Sequence, residues 1–281
     1  MRKKAKSGHK TGHKGGHKTA KSRKPRAESR EPKAESAEHE VTYGSYLALN
    51  ELLSAQHPRS KPEHPDELLF IVVHQSSELW FKVLLRDFET LYGALLRNDA
   101  GLALWQMKRI NGVMRIVSAQ LSSLALLPPQ HFAAFRTNLG SSSGSQSAQF
   151  RAIEAASGLR EDWFLKLLHE VGPVPVIVQR WLERPPLQDV FLQFLGKEGV
   201  TLEQLYLGPG PSLAFFIAEA LLEYEMEFGQ WRFVHAQLVE RMLGPGTTGT
   251  GGSSGAAMLH RTTSIRFFPK LAEVRARFFK S

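Results

Sequence analysis

An all-helical bundle with a disordered basic tail is the fold this sequence predicts, on three observations. Long stretches space their apolar residues three and four apart, which gathers them on one face of a helix. No stretch alternates apolar and polar residues strongly enough to make a half-buried strand. Prolines fall between the periodic stretches, where helices start and stop.

The tail comes first. Residues 1–40 hold 13 of the 36 Lys and Arg and 5 of the 27 Asp and Glu, a net of +8 out of +9, and contain no aromatic residue and no Leu, Ile or Val. Such a segment cannot bury enough surface to offset chain entropy, so it is expected to be disordered. Gly-His-Lys triplets space His9, His13 and His17 four apart. A tract of this kind can bind copper or nickel, or meet nucleic acid or an acidic partner through its lysines, but a solvated extension is the simpler expectation. Residues 41–281 keep 23 basic and 22 acidic side chains, so charge makes no case for nucleic-acid binding by the body.

The body reads as one helical domain. Glu67 to Leu91 is amphipathic and is opened by His64-Pro65-Asp66-Glu67, with Pro suited to the first helical position and the acids to the positive helix end. Asp99 to Leu126 repeats the pattern and stops at Pro128-Pro129. A Gly and Ser rich stretch, Gly140 to Ser147, leads into shorter helices around Trp163 and Trp181, broken at Gly172-Pro173 and Pro185-Pro186. Leu213 to Met242 is expected to be the longest helix, with a seam of Ile217, Leu221, Tyr224, Phe228, Trp231, His235, Leu238 and Met242. Gly244 to Gly255 then reads as a loop, and a last short helix is expected around Phe267 to Phe279.

The chain has no cysteine, which excludes disulfides, zinc thiolates, iron–sulfur clusters and a thiolate-ligated haem. Any metal must rest on His or carboxylate. The N-terminus lacks the apolar core of a secretory signal, and no run reaches the roughly 18 apolar residues of a membrane span. A cytoplasmic location without a membrane partner is therefore expected.

Two histidines sit on apolar helical faces, His74 one turn beyond Phe70 and His235 in the long seam. A single such histidine is usually a hydrogen-bonded core residue. Two on separate long helices of a bundle make a frame for a haem or metal site. Arg136 reads either as a surface ion pair or as a bidentate clamp on a carboxylate. Gly249 to Gly255 is either a linker or a lid, and its glycines match no phosphate-binding or dinucleotide pattern.

Several motifs in order resemble the tryptophan 2,3-dioxygenase family: Thr42-Tyr43-Gly44-Ser45-Tyr46-Leu47, Asp66 to Gln75, Ser77-Glu78-Leu79-Trp80, Phe135-Arg136, Leu139-Gly140, Ser142-Ser143-Gly144, Gln146-Ser147, Trp231-Arg232-Phe233 with His235, the Gly249 to Gly255 run, and Phe267-Phe268-Pro269. The resemblance spans residues 42 to about 275. It implies a bundle enclosing haem b, with His235 as the axial iron ligand and molecular oxygen as co-substrate. It implies that His74 hydrogen-bonds the indole nitrogen of L-tryptophan, and that Phe70, Tyr43, Tyr46, Leu47 and Leu139 wall the indole pocket. Arg136 would grip the substrate carboxylate and Thr250 its polar end. The implied product is N-formyl-L-kynurenine. The Tyr43 and Tyr46 segment would come from a neighbouring subunit, so a homotetramer is implied.

The sequence departs from the family at Phe132, where many relatives carry a Tyr, at Val234, which replaces a common Arg, and at Ser145, which replaces an aromatic residue. Pro245 to Thr248 alters the lead into the Gly loop, and Ile153 to Leu213 is shorter than usual. Two rivals therefore stand beside the dioxygenase expectation: a haem monooxygenase acting on a substituted indole, and a non-enzymatic haem- or tryptophan-binding bundle.

Overall fold

The computed structural model describes residues 41–208, 210–244, 246–247 and 256–277. The expectations placed on residues 1–40, on Pro245, on Thr250 and on the Gly249 to Gly255 run lie outside these residues. The chain divides after Leu49 into two compact units. In the first, Thr42 caps the short helix α1 (Tyr43–Tyr46): its side chain accepts from Ser45 N–H, and Ser45 reaches back to the Thr42 backbone.

The second unit is built from helices alone among the described residues: α2 (Leu49–Leu53), α3 (Pro65–Leu96), α4 (Ala100–Ser122), α5 (Pro129–Arg136), α6 (Ala148–Ser157), α7 (Asp162–Val171), α8 (Val176–Leu182), α9 (Leu187–Lys197), α10 (Leu202–Leu207), α11 (Leu213–Leu243), α12 (Ala256–Thr262) and α13 (Pro269–Arg277). The all-helical expectation holds. The longest helix is α3, with 32 residues against 31 for α11, because the helix read as ending at Leu91 continues one more turn to Leu96. The stretch read as one helix to Leu126 is α4 followed by a 3-10 turn over Ser123–Leu126. Several short helices, α1, α2, α5, α10 and α12, had no counterpart in the sequence reading. In α5 the second residue of the Pro128-Pro129 pair opens a helix rather than merely ending one, since its missing N–H lies where the first turn needs no donor. Helix α12 adds seven residues, about two turns, after the Gly run.

Helix α4 lies between the two long helices, and α3 and α11 pack chiefly through it. Polar bonds fix the register. Asn111 donates to Ala220 O at 3.0 Å, and Arg115 Nε donates to Glu227 at 2.8 Å. Farther along, Gln120 donates to Val73 O at 2.9 Å and to Ser77 at 3.0 Å. The end of α4 is thus level with the His74 turn of α3 and, at 1.5 Å per residue, within a turn of His235 on α11.

The core gathers Leu84, Phe88, Leu91, Met107, Ile110, Ile217, Leu221, Tyr224 and Phe228 with Phe267 and Phe268. Each large apolar side chain buried here contributes about 1.5–3 kcal/mol. Two of its hydroxyls are partnered: Tyr92 donates to Ala156 O at 2.7 Å, and the Tyr224 and Ser157 hydroxyls lie 2.7 Å apart.

Helix α3 also contains an 18-residue window of mean hydropathy 1.4, long and apolar enough to cross a membrane by length and composition. One face of it packs on α4, α6 and α9 in the manner of a core helix. Its other face leaves Leu68, Val72 and Leu79 exposed.

Candidate active site

The first turns of α3 are held by an unusual anchor. Pro65 starts the helix, and His64 caps it through Nδ1, which accepts from Asp66 N–H at 3.2 Å. Glu67, read from sequence as a charge suited to the helix end, is buried at 1% exposure. Its carboxylate accepts from the Arg59 N–H at 2.7 Å, the Ser60 N–H at 3.0 Å and the Ser60 hydroxyl. Burial raises its pKa, but those three bonds outweigh it and hold the carboxyl below the usual range. The chain leading into α3 is thereby tied down, and the turn carrying Phe70 and His74 starts from a fixed point.

One turn on, His74 Nδ1 lies 2.7 Å from Phe70 O. A carbonyl only accepts, so Nδ1 carries the proton and Nε2 of the neutral ring is a bare acceptor. His74 is exposed, with the Phe70 ring packed against one face of its imidazole. Burial pushes its pKa down, against the opposing effects of the Phe70 bond and the Glu78 charge, so the ring is neutral at physiological pH.

Around it stands a second apolar cluster. Leu127, Phe132 and Phe135 are buried, with Leu69, Phe70, Leu139, Met242 and Leu243 packed against them. The Phe70 ring lies 4.2 Å from the His74 ring, 5.5 Å from Phe132 and 5.8 Å from Phe135. Helices α3, α5 and the end of α11 therefore meet here. Phe132 is buried in this cluster as a phenyl ring without a hydroxyl. Arg136 ends α5 half-buried, and Leu139 follows in a 3-10 turn. The His131 ring pins α5 to the first turn of α3 through Asp66 at 2.6 Å.

The α11 seam runs buried from Ile217 to Trp231 and then emerges partly at His235. The Trp231 ring lies 5.2 Å from that of His235. His235 Nδ1 is buried without a partner, which leaves Nε2 as the nitrogen that keeps surface. Burial first, then the charges of His74 and Arg151, push its pKa down to about 4. The two histidines share one electrostatic neighbourhood, each a neutral imidazole with Nε2 free. A neutral imidazole with one free nitrogen is the form that binds a transition metal, so the residues fit an iron ligated through His235.

Tyr43 and Tyr46, on α1, are 77% and 78% exposed, and Leu47 is exposed just after them. Ser145 is held in a 3-10 turn by Ser143, and Val234 packs against the main core. Sequence reasoning missed one element near the site. Glu154 on α6 pairs with Arg232 at 2.6 Å and Arg151 at 2.9 Å, each pair with little exposure. Arg232 also donates to Thr262 O at 2.9 Å, which joins α12 to α11.

A family profile described as Tryptophan 2,3-dioxygenase matches residues 27–171 and 192–278. Its gap falls inside the stretch read as shortened. Among relatives, the Tryptophan 2,3-dioxygenase of Kineococcus radiotolerans is 39% identical, covering 84% of this chain and 91% of its own. That of Saccharopolyspora erythraea is 37% identical with 84% and 92% covered, and that of Anaeromyxobacter dehalogenans 38% with 84% and 95%. Matched over most of its length by both the profile and these relatives, the chain belongs to the tryptophan 2,3-dioxygenase family.

Proposed function

We propose that this chain uses dioxygen to open the indole ring of L-tryptophan, giving N-formyl-L-kynurenine, with haem b held through His235 Nε2. The observation that carries the reading is the pair of neutral histidines on α3 and α11, one with its free nitrogen suited to iron and the other to an N–H donor. Haem, when bound, supplies a ferrous iron that activates dioxygen, and no external reductant is consumed per turnover.

The protein's own groups do the rest. His74 Nε2 accepts the indole N–H and so fixes the ring plane. Phe70, Phe132, Phe135 and Leu139 surround the ring and exclude water. Arg136 receives the carboxylate, without a hydroxyl at Phe132 to assist it, and Thr250 engages the amino-acid end. Tyr43, Tyr46 and Leu47 complete the pocket of a neighbouring subunit in a cytoplasmic homotetramer. The exposed Leu68, Val72 and Leu79 of α3, together with the exposed α1 tyrosines, support an assembly that covers apolar surface.

Turnover of L-tryptophan by the haem-loaded chain under isotopically labelled dioxygen tests this. The product absorbs in the near ultraviolet and should carry two labelled atoms. One labelled atom would overturn the dioxygenase reading in favour of a monooxygenase, and no turnover would favour a binding protein.

A further inference from the structure

Near His235, three nitrogen donors stand without partners: His235 Nδ1, Trp231 Nε1 and Arg151 Nε are all buried and bonded to nothing among the described residues. Their side chains follow one another in contact. The Trp231 ring lies 5.2 Å from His235 and 4.7 Å from Phe150, and the Arg151 guanidinium carbon sits 5.0 Å from the centre of the Phe150 ring. Arg151 is fixed in place by Glu154 at 2.9 Å, with its side chain 13% exposed. The other oxygen of Glu154 takes Arg232. One carboxylate therefore serves two guanidiniums, and the cluster keeps a surplus positive charge.

Unpaired buried polar atoms are costly, and here three donors stand near one acceptor without a hydrogen bond, Glu154 Oε2, beside a surplus cation, a set that suits a small group able both to accept and to donate. A carboxylate behind a metal-bound imidazole draws on the Nδ1 proton and makes the ligand more basic. Here the carboxylate in the cluster is already neutralised.

We propose that Arg151 is a positioning residue for His235: it fixes a positive charge and an N–H behind the imidazole, so that the acceptor for Nδ1–H is a small group such as water polarised by the guanidinium. This rests on His235 being the iron ligand. The consequence is a ligand that stays a neutral imidazole. Strong donation from the axial ligand favours O–O cleavage, and withholding it suits a reaction in which both oxygen atoms reach one substrate.

The test uses the full haem-loaded chain as wild type, Arg151→Gln and Arg151→Lys. Two quantities are read, the iron–histidine stretching frequency of the ferrous protein by resonance Raman and the ferric/ferrous midpoint potential. Arg151→Gln should raise the frequency and lower the potential, and Arg151→Lys, which keeps the charge, should return the potential toward wild type. A merely structural arginine would change melting temperature and move neither. Haem-replete Arg151→Gln with both quantities at wild-type values overturns the inference alone. A wild type with no iron–histidine mode overturns the ligand assignment and this inference with it. Should Arg151→Gln fail to fold, Trp231→Phe removes another donor to the same acceptor: a raised frequency supports the inference, and an unchanged one overturns it.

Discussion

His74→Ala should leave haem bound and cost activity only in part, and the size of the loss follows from the geometry. The Phe70 carbonyl fixes the proton on Nδ1, so Nε2 offers one neutral acceptor to the indole N–H. Removing it leaves that N–H unpaired beside the Phe70, Phe132 and Phe135 cluster, at a cost of about 1–3 kcal/mol, or roughly 5- to 160-fold in kcat/KM. The informative assay is a double comparison of wild type and His74→Ala on L-tryptophan and on 1-methyl-L-tryptophan, which lacks the N–H. The methyl group's bulk cancels in the cycle. The variant should lose its factor on tryptophan and little on the methylated substrate. An equal loss on both, or loss of haem, would refute the reasoning. The pH profile gives a second check. Because the His74 pKa is lowered and the neutral form is the acceptor, its acid limb should fall below pH 6.5, and activity should be flat from pH 8 to 6.5.

Four further outcomes are expected. His235→Ala should abolish stable haem loading, and a normal Soret band with full pyridine haemochrome yield would refute the ligand assignment. Arg136→Leu should raise KM for L-tryptophan by on the order of 10- to 150-fold, from a charge-assisted pair of about 1.5–3 kcal/mol, and should shrink the preference over tryptamine. Glu154→Ala should destabilise the fold by about 3–5 kcal/mol in denaturant titration, because Arg232 is left buried without its carboxylate. Glu67→Gln should cost about 1.5–3 kcal/mol. Since the folded-state pKa of Glu67 is lowered, wild type keeps this stabilisation above about pH 4.5 and loses it as pH falls through the folded value, whereas the variant should lack that acid slope.

The helices that carry the site were legible because each has one apolar face repeated over many turns, and His74 and His235 stood out by interrupting such faces. Partnerships across the chain were not legible. Glu154 and Arg232 are 78 residues apart, and nothing in either local pattern names the other. Glu67 looked like a helix-end charge because its partners, Arg59 and Ser60, lie in a stretch without periodicity. Helix α5 was hidden because a Pro pair signals a stop and a start with the same letters. Phe132 could be recognised as a missing hydroxyl, but not as a ring packed between Phe70 and Phe135.

The place of α4 between the long helices has a consequence for how the cleft could be resized. Val117 and Leu121 are buried near its end, level with the His74 turn and close to the level of His235. As buried bulk on the helix packed between α3 and α11, they are expected to work as a shim that sets how far apart the two walls stand. Thickening it at Val117 would push both walls at once, and thinning it at Leu121 would let them settle inward. Room for a larger or smaller indole is thus adjustable from the back of the cleft, without replacing any group that touches the substrate.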